Sequence, residues 1–279
     1  MTQRVPDGSL IKRVAVAVIF IPLIVWILLV RGFPLYIFLV IITTVGQWEL
    51  YSLFGGRIMP LQRLIGFCSG LAILTDAFLF HSAYSLSLLL TVIILLFLIE
   101  ILFKRERKFD HVSLTLFITV YPALFLSFLF GIERVSYDIV GFKSRFILLF
   151  LVIMIWVFDT MSYFVGKWVG RHPFFPTISP GKTLEGFIGG FLSVIILGGL
   201  IGRTIDKEIW LHFVMLAGII GIAGQVGDLA ESMIKREVGV KDSSRILPGH
   251  GGILDRFDSL IFASPVAYWY LALMSGSLR

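Results

Sequence analysis

The chain has 279 residues, 57% of them hydrophobic and 15% charged, with a formal net charge of +6. So few polar side chains cannot cover the core of a soluble protein this large, so most of the surface must meet lipid, and a water-soluble globular domain is excluded. The basic residues lie between apolar runs rather than in one patch, so they orient the chain in a bilayer and attract anionic head groups; no nucleic-acid partner is expected.

Met1 to Arg13 forms a short polar arm, and Val14 to Val30 reads as the first membrane span. The run is too long for a leader and shows no A-x-A cleavage site, and Pro22 is a tolerated kink. The second span covers about Phe33 to Leu53, the third about Leu64 to Phe80, and the fourth about Ser85 to Phe103, followed by the charge cluster Lys104 to Lys108. The fifth, about Val112 to Gly131, carries Pro122. The polar stretch Arg134 to Lys143 shows no pattern that implies chemistry.

The sixth span, about Phe146 to Val165, contains Asp159 and leads into a loop rich in proline and glycine, Arg171 to Gly186. The seventh, about Phe187 to Gly202, is glycine-rich and suited to close helix contact. The eighth runs from about Trp210 to Met233 and the ninth from about Phe257 to Met274. The expected fold is therefore an all-α polytopic membrane protein of about nine transmembrane helices. It divides functionally into residues 1–110 (spans one to four) and 111–279 (spans five to nine), the second part carrying the catalytic site. With the N-terminus cytoplasmic, 17 of the 24 Lys and Arg residues fall on the cytoplasmic side, which favours that orientation. Cys68 is the only cysteine, so neither an intrachain disulfide nor a cysteine metal site is available.

The acids separate into two kinds. Glu49, Asp76 and Glu100 each lie toward a span end, where an interfacial or structural role is expected. Gly224 to Ser259, by contrast, gathers six carboxylates. Asp228, Glu231, Ser232 and Lys235 are spaced i, i+3, i+4, i+7 and share one helical face, while Asp255 and Asp258 are i and i+3 at the start of the last span. Like charges one turn apart repel by a few tenths of a kcal/mol, and a bound cation reverses that sign. The loop between them holds ProGlyHisGlyGly, Pro248 to Gly252, whose glycines let backbone approach a ligand closely. The helix that follows turns its free N–H groups toward incoming phosphate. His250 offers an acid, a ligand or a phosphate contact.

ProGlyLysThr, Pro180 to Thr183, is not a nucleotide-binding P-loop. The position requiring the first glycine is Pro176, and no strand and soluble helix flank it. Lys182 and Thr183 remain candidates for phosphate contact.

The segment Ser232 to Asp258 matches, without a gap, the long C-terminal signature of the phosphatidate cytidylyltransferases. The matching positions include Ile234, Lys235, Arg236, Lys241, Asp242, Ser244, Leu247, Pro248, His250, Gly251, Gly252, Ile253, Asp255, Arg256, Phe257 and Asp258. Ser179 to Gly186 also resembles the family, which commonly has Lys at position 181 and Trp at 184. The resemblance implies synthesis of CDP-diacylglycerol and pyrophosphate from CTP and phosphatidate at the cytoplasmic leaflet of a bacterial inner membrane. It further implies Mg²⁺, K⁺ as a second ion, and a homodimer.

On that reading Asp228 and Asp255 hold the metal with Asp258, and Asp159 supports them. Asp228, Asp255, Lys235 and Arg236 form the catalytic set. Lys182, Thr183, Ser232, Lys241, Arg245, His250 and Arg256 bind substrate. Two other classes fit the residues less well. A CDP-alcohol phosphotransferase needs Gly after the second Asp of AspXaaXaaAsp, where this chain has Ser259. A transporter would place its acids near mid-bilayer rather than at one face.

Overall fold

The computed structural model describes residues 7–55, 58–103, 108–140, 144, 146–205, 207–244, 246 and 251–276; among these the side chains of 7–17, 108, 137, 138 and 140 are not described. The chain is a helical bundle. Its helices are α1 (Asp7–Val30), α2 (Gly32–Leu53), α3 (Pro60–Leu79), α4 (Ser85–Phe103), α5 (Lys108–Thr119), α6 (Phe125–Val140), α7 (Ile147–Val169), α8 (Leu184–Ile205), α9 (Trp210–Glu237) and α10 (Leu254–Ser275). In a bilayer, each backbone N–H and C=O must find its partner within the segment, so apolar runs of this length become helices. At a rise of about 1.5 Å per residue, 22 residues reach roughly 33 Å, enough to cross the hydrocarbon layer.

Among the described residues, eight helical stretches are long and apolar enough to cross, α2 being the first; the described apolar part of α1, Val18–Val30, is shorter. The expectation of an all-α polytopic membrane protein holds. Most boundaries move by about a turn, those at the start of α1 and the end of α6 by more. α9 runs to Glu237 rather than Met233, and α10 starts at Leu254 rather than Phe257. Lys235, Arg236 and Asp255 therefore stand on rigid helix.

The fifth span is a composite. α5 and α6 join through a π-helical turn, Val120–Leu124, and the apolar stretch Phe109–Ser136 passes through both. Pro122 sits in that turn. Proline has no N–H to offer the carbonyl one turn back, and a wider turn relieves the clash of its ring. Gln47 of α2, fully buried, directs Nε2 toward the orphaned carbonyl of Ile118 at 3.5 Å and donates to Gly66 O at 3.1 Å. The α6 helix then continues through much of the stretch expected to be loop.

The loop after the sixth span is also more ordered than expected. β1 (Pro173–Phe175) and β2 (Ser179–Thr183) form an antiparallel hairpin between α7 and α8. Glu185 fastens its base, accepting from Arg171 N at 3.1 Å and His172 N at 3.2 Å, while its other oxygen meets His172 Nδ1 at 2.5 Å.

Helices α7, α8, α9 and α10 pack extensively each on the next, and α10 also packs on α6. On α8, Gly186, Gly190, Val194, Gly198 and Gly202 make a buried row at every fourth position, whereas Ile188, Leu192, Ile196 and Leu200 make an exposed one. Small residues face helices and branched ones face lipid. One continuous apolar core runs from Ile24 to Ala272, through both halves of the chain.

Candidate active site

The functional side chains gather at one end of the α7–α10 bundle, around a cavity of about 1390 Å³. Its walls come from α7, the hairpin, α8, the C-terminal end of α9 and the N-terminal end of α10. The crossing of α9 and α10 is tight at Gly227. A Cβ there would come within 2.5 Å of Asp258 O, so only glycine lets the two acid-bearing turns approach so closely.

Asp228, Ser232, Lys235, Asp255 and Asp258 all line this cavity, so three of the four residues read from i, i+3, i+4, i+7 spacing face it, while Glu231 is buried and is not part of its wall. Two lysines order the acids. Lys182, at the end of β2, reaches Asp228 Oδ2 at 2.7 Å. Lys235 sits 2.6 Å from Asp255 Oδ1 and 3.4 Å from Glu231 Oε1. Asp255 is further held by backbone N–H groups, since Oδ2 accepts from Gly252 N at 2.8 Å and from Ser243 N at 3.1 Å. Ser232 Oγ donates to Asp228 Oδ1 at 3.4 Å.

The other expected residues divide by what their polar atoms already do. Thr183 lines the cavity, yet its Oγ1 accepts from Gly186 N at 3.1 Å and caps the start of α8. Arg236 also lines it, but its guanidinium donates to Ile178 O at 3.4 Å and Val240 O at 3.2 Å, tying the hairpin to the end of α9. Lys241, Asp242 and Arg256 are part of the wall. Arg245 and His250 lie outside the described residues, as do Leu247, Pro248 and Gly249 of the glycine-rich loop.

Asp159 of α7 lines the cavity, and the structure adds Ser162, Tyr163 and Gly166 of the same helix, which the sequence did not single out, with Lys167 beside them. Together with Asp159 they repeat the same i, i+3, i+4, i+7 pattern that singled out α9, and that pattern was the available signal. Gln225, one turn before Asp228, lines it as well.

Glu49, Asp76 and Glu100 are all buried, and each holds structure through its hydrogen bonds. Asp76 accepts from Tyr84 N at 3.1 Å and Ser85 Oγ at 2.6 Å at the start of α4, and Glu100 accepts from Gln62 Nε2 at 2.5 Å. Glu49 reaches the signature loop itself.

The donor set fits a hard divalent cation. Asp228, Glu231, Asp255 and Asp258 offer carboxylate oxygens only, the ligands that Mg²⁺ prefers. Glu231 is 1% exposed, and neither of its oxygens has a hydrogen-bond donor. A buried carboxylate in that state is costly unless a positive charge faces it. Among the described residues, no three His, Cys, Asp or Glu side chains converge on one point; Asp228 and Asp255 each meet a lysine.

Comparison with known proteins places the arrangement in context. The model of the family described as "Cytidylyltransferase family" matches residues 11–274. A phosphatidate cytidylyltransferase of Bacillus subtilis (strain 168) is 33% identical over 285 residues, covering 99% of each chain. One from Staphylococcus epidermidis is 33% identical over 261 residues, covering 91% of this chain and 96% of its own. One from Staphylococcus aureus (strain COL) is 43% identical over 152 residues, covering 51% of this chain and 58% of its own.

Proposed function

Given that the chain belongs to the cytidylyltransferase family, we propose that it joins CTP to phosphatidate, releasing pyrophosphate and forming CDP-diacylglycerol. The observation that carries this reading is the shared cavity. Asp228 from α9 and Asp255 from α10 line one space, each paired to a lysine that also borders it. A site with acids for a cation and lysines for phosphates has the two things a nucleotidyl transfer needs.

A phosphatidate oxygen is already a nucleophile, so no side chain has to be activated. It attacks the α-phosphorus of CTP, a new P–O bond forms, and the bond to the β-phosphate oxygen breaks with the electron pair leaving on pyrophosphate. The protein's part is alignment and charge neutralisation. Lys182, Lys235, Lys241 and Arg256 hold the triphosphate and the lipid phosphate, with Arg245 and His250 as further binding residues. Ser232 steadies Asp228, and Thr183 and Arg236 hold the hairpin that carries Lys182. Asp228, Asp255 and Asp258 would hold Mg²⁺, with Glu231 beside them, Asp159 in support and K⁺ as a second ion. Bound there, Mg²⁺ would neutralise charge that builds on the leaving pyrophosphate.

Lipid phosphate stays at head-group depth, and the cavity lies at helix ends, where a water-soluble nucleotide can meet it. The clustering of Lys and Arg at that end supports the cytoplasmic leaflet; placement in a bacterial inner membrane and a homodimer complete the proposal. The deciding measurement is pyrophosphate release by the purified protein. It should require CTP, phosphatidate and Mg²⁺ together, and release without phosphatidate would sink the reading.

A further inference from the structure

Glu49 lies in the last turn of α2, 194 to 205 positions from the residues it touches. It is 0% exposed, and its carboxylate meets four donors. Ile253 N donates to Oε1 at 2.9 Å and Leu254 N to Oε2 at 2.7 Å, so the acid caps the start of α10. Ser244 Oγ reaches Oε1 at 2.5 Å and Ser243 Oγ lies 3.2 Å from Oε2. An anionic acceptor with several donors, placed at a helix N-terminus, makes strong charge-assisted bonds. The fit leaves no slack: a Cβ on Gly252 would come within 2.6 Å of Glu49 Oε1 and would collide with Ser243 Oγ.

Asp255 grips the same two chain segments from the other side. It takes Ser243 N, Ser243 Oγ at 3.0 Å, and Gly252 N. Ser243 Oγ thus lies within hydrogen-bond distance of both carboxylates while carrying one proton to share between them. We infer that Glu49 is a positioning residue for the reaction: from the N-terminal half of the chain it clamps the 243–244 and 252–254 segments, and through Ser243 and Gly252 it fixes where Asp255 presents its carboxylate to the cation. The inference rests on the reading of Asp255 as a metal ligand.

The test is Mn²⁺ binding to the purified full-length protein in detergent, followed by electron paramagnetic resonance without substrates, with thermal unfolding to check the fold. Wild type should bind, and Asp255→Asn should not. Glu49→Gln keeps the shape but loses the charge, and should weaken Mn²⁺ by about tenfold, as loss of a group that orients a metal ligand does. Ser243→Ala should weaken it in the same direction, and the double variant should bind no worse than Glu49→Gln alone, because both act along one path. Should Glu49→Gln fail to fold, Ser243→Ala carries the comparison. If the folded variants bind Mn²⁺ like wild type while Asp255→Asn does not, Glu49 is only a helix cap and the inference falls by itself. If wild type does not bind Mn²⁺, or Asp255→Asn binds as wild type does, the metal reading falls and takes this inference with it.

Discussion

Lys182 Nζ and Asp228 Oδ2 meet at 2.7 Å across the cavity, joining the end of a β-hairpin to the C-terminal part of a membrane helix. The contact bridges the two parts of the sequence that carry chemistry and puts the lysine's positive charge where a metal ion would otherwise have to balance the acid. The lysine is about one-fifth exposed and the aspartate about one-third, so the pair remains within reach of an incoming ligand.

Replacing Lys182 with Met should therefore harm catalysis more than folding. We expect pyrophosphate release to fall on the order of a hundredfold, the usual size for loss of one preorganised charge. Lys182→Arg keeps the charge and should retain more turnover. Steady-state rates with CTP varied will decide, and near-normal turnover in Lys182→Met would remove the residue from the phosphate-binding set.

Asp228→Asn and Asp255→Asn should each lower turnover by about a hundredfold or more. The two differ in their expected effect on order. Asp255 holds Ser243 and Gly252 as well as facing the cavity, so its amide variant should also make the chain next to those two residues more open to proteolysis. Radiolabelled CTP turnover, with limited proteolysis alongside, separates the two effects.

Glu231→Gln should be read through its magnesium requirement. The side chain is buried without a hydrogen-bond donor, with Lys235 at 3.4 Å. If it adds negative charge toward a bound cation, the Mg²⁺ concentration giving half-maximal turnover should rise severalfold, on the order of the tenfold expected for a supporting ligand. An unchanged magnesium curve would assign Glu231 to Lys235 alone.

Gly227→Ala tests the closeness of α9 and α10. The added methyl meets Asp258 O and Phe262 Cβ, at 2.5 Å and 2.9 Å, so the helices must part. A cost of about 1–3 kcal/mol is expected for such overpacking. The unfolding temperature in detergent should drop, and turnover should fall with it because the acids move apart.

Gln47→Leu tests the support of the π-helical turn. The Gly66 and Ile118 carbonyls would lose their side-chain donor, at a cost of about 0.6–2 kcal/mol for a hydrogen bond between membrane helices. Thermal unfolding is again the measurement, and an unchanged midpoint would show that the turn holds without Gln47.

Much of the molecule was legible in the residue order. Membrane spans could be read because hydrocarbon leaves a backbone no partner outside its own segment, so an apolar run of sufficient length has one solution. The inward face of α9 was legible for a similar reason: Asp228, Glu231, Ser232 and Lys235 share a side by helical geometry alone. Local hydrogen bonding settles both, and neighbours in sequence are enough to see it.

The contacts that complete the site were decided elsewhere. Nothing near Glu49 announces that it caps a helix some two hundred positions away, and a lone acid close to a span end looks interfacial until its donors are known. Lys182 likewise shows a phosphate-binding composition without naming Asp228 as its partner. Such pairings depend on which helices pack together and at what rotation, and that is set by many small contacts spread over the whole core. A one-dimensional pattern carries the period of a helix but not the identity of the helix it will face, so only the folded bundle could join α2 and the hairpin to the acids of α9 and α10.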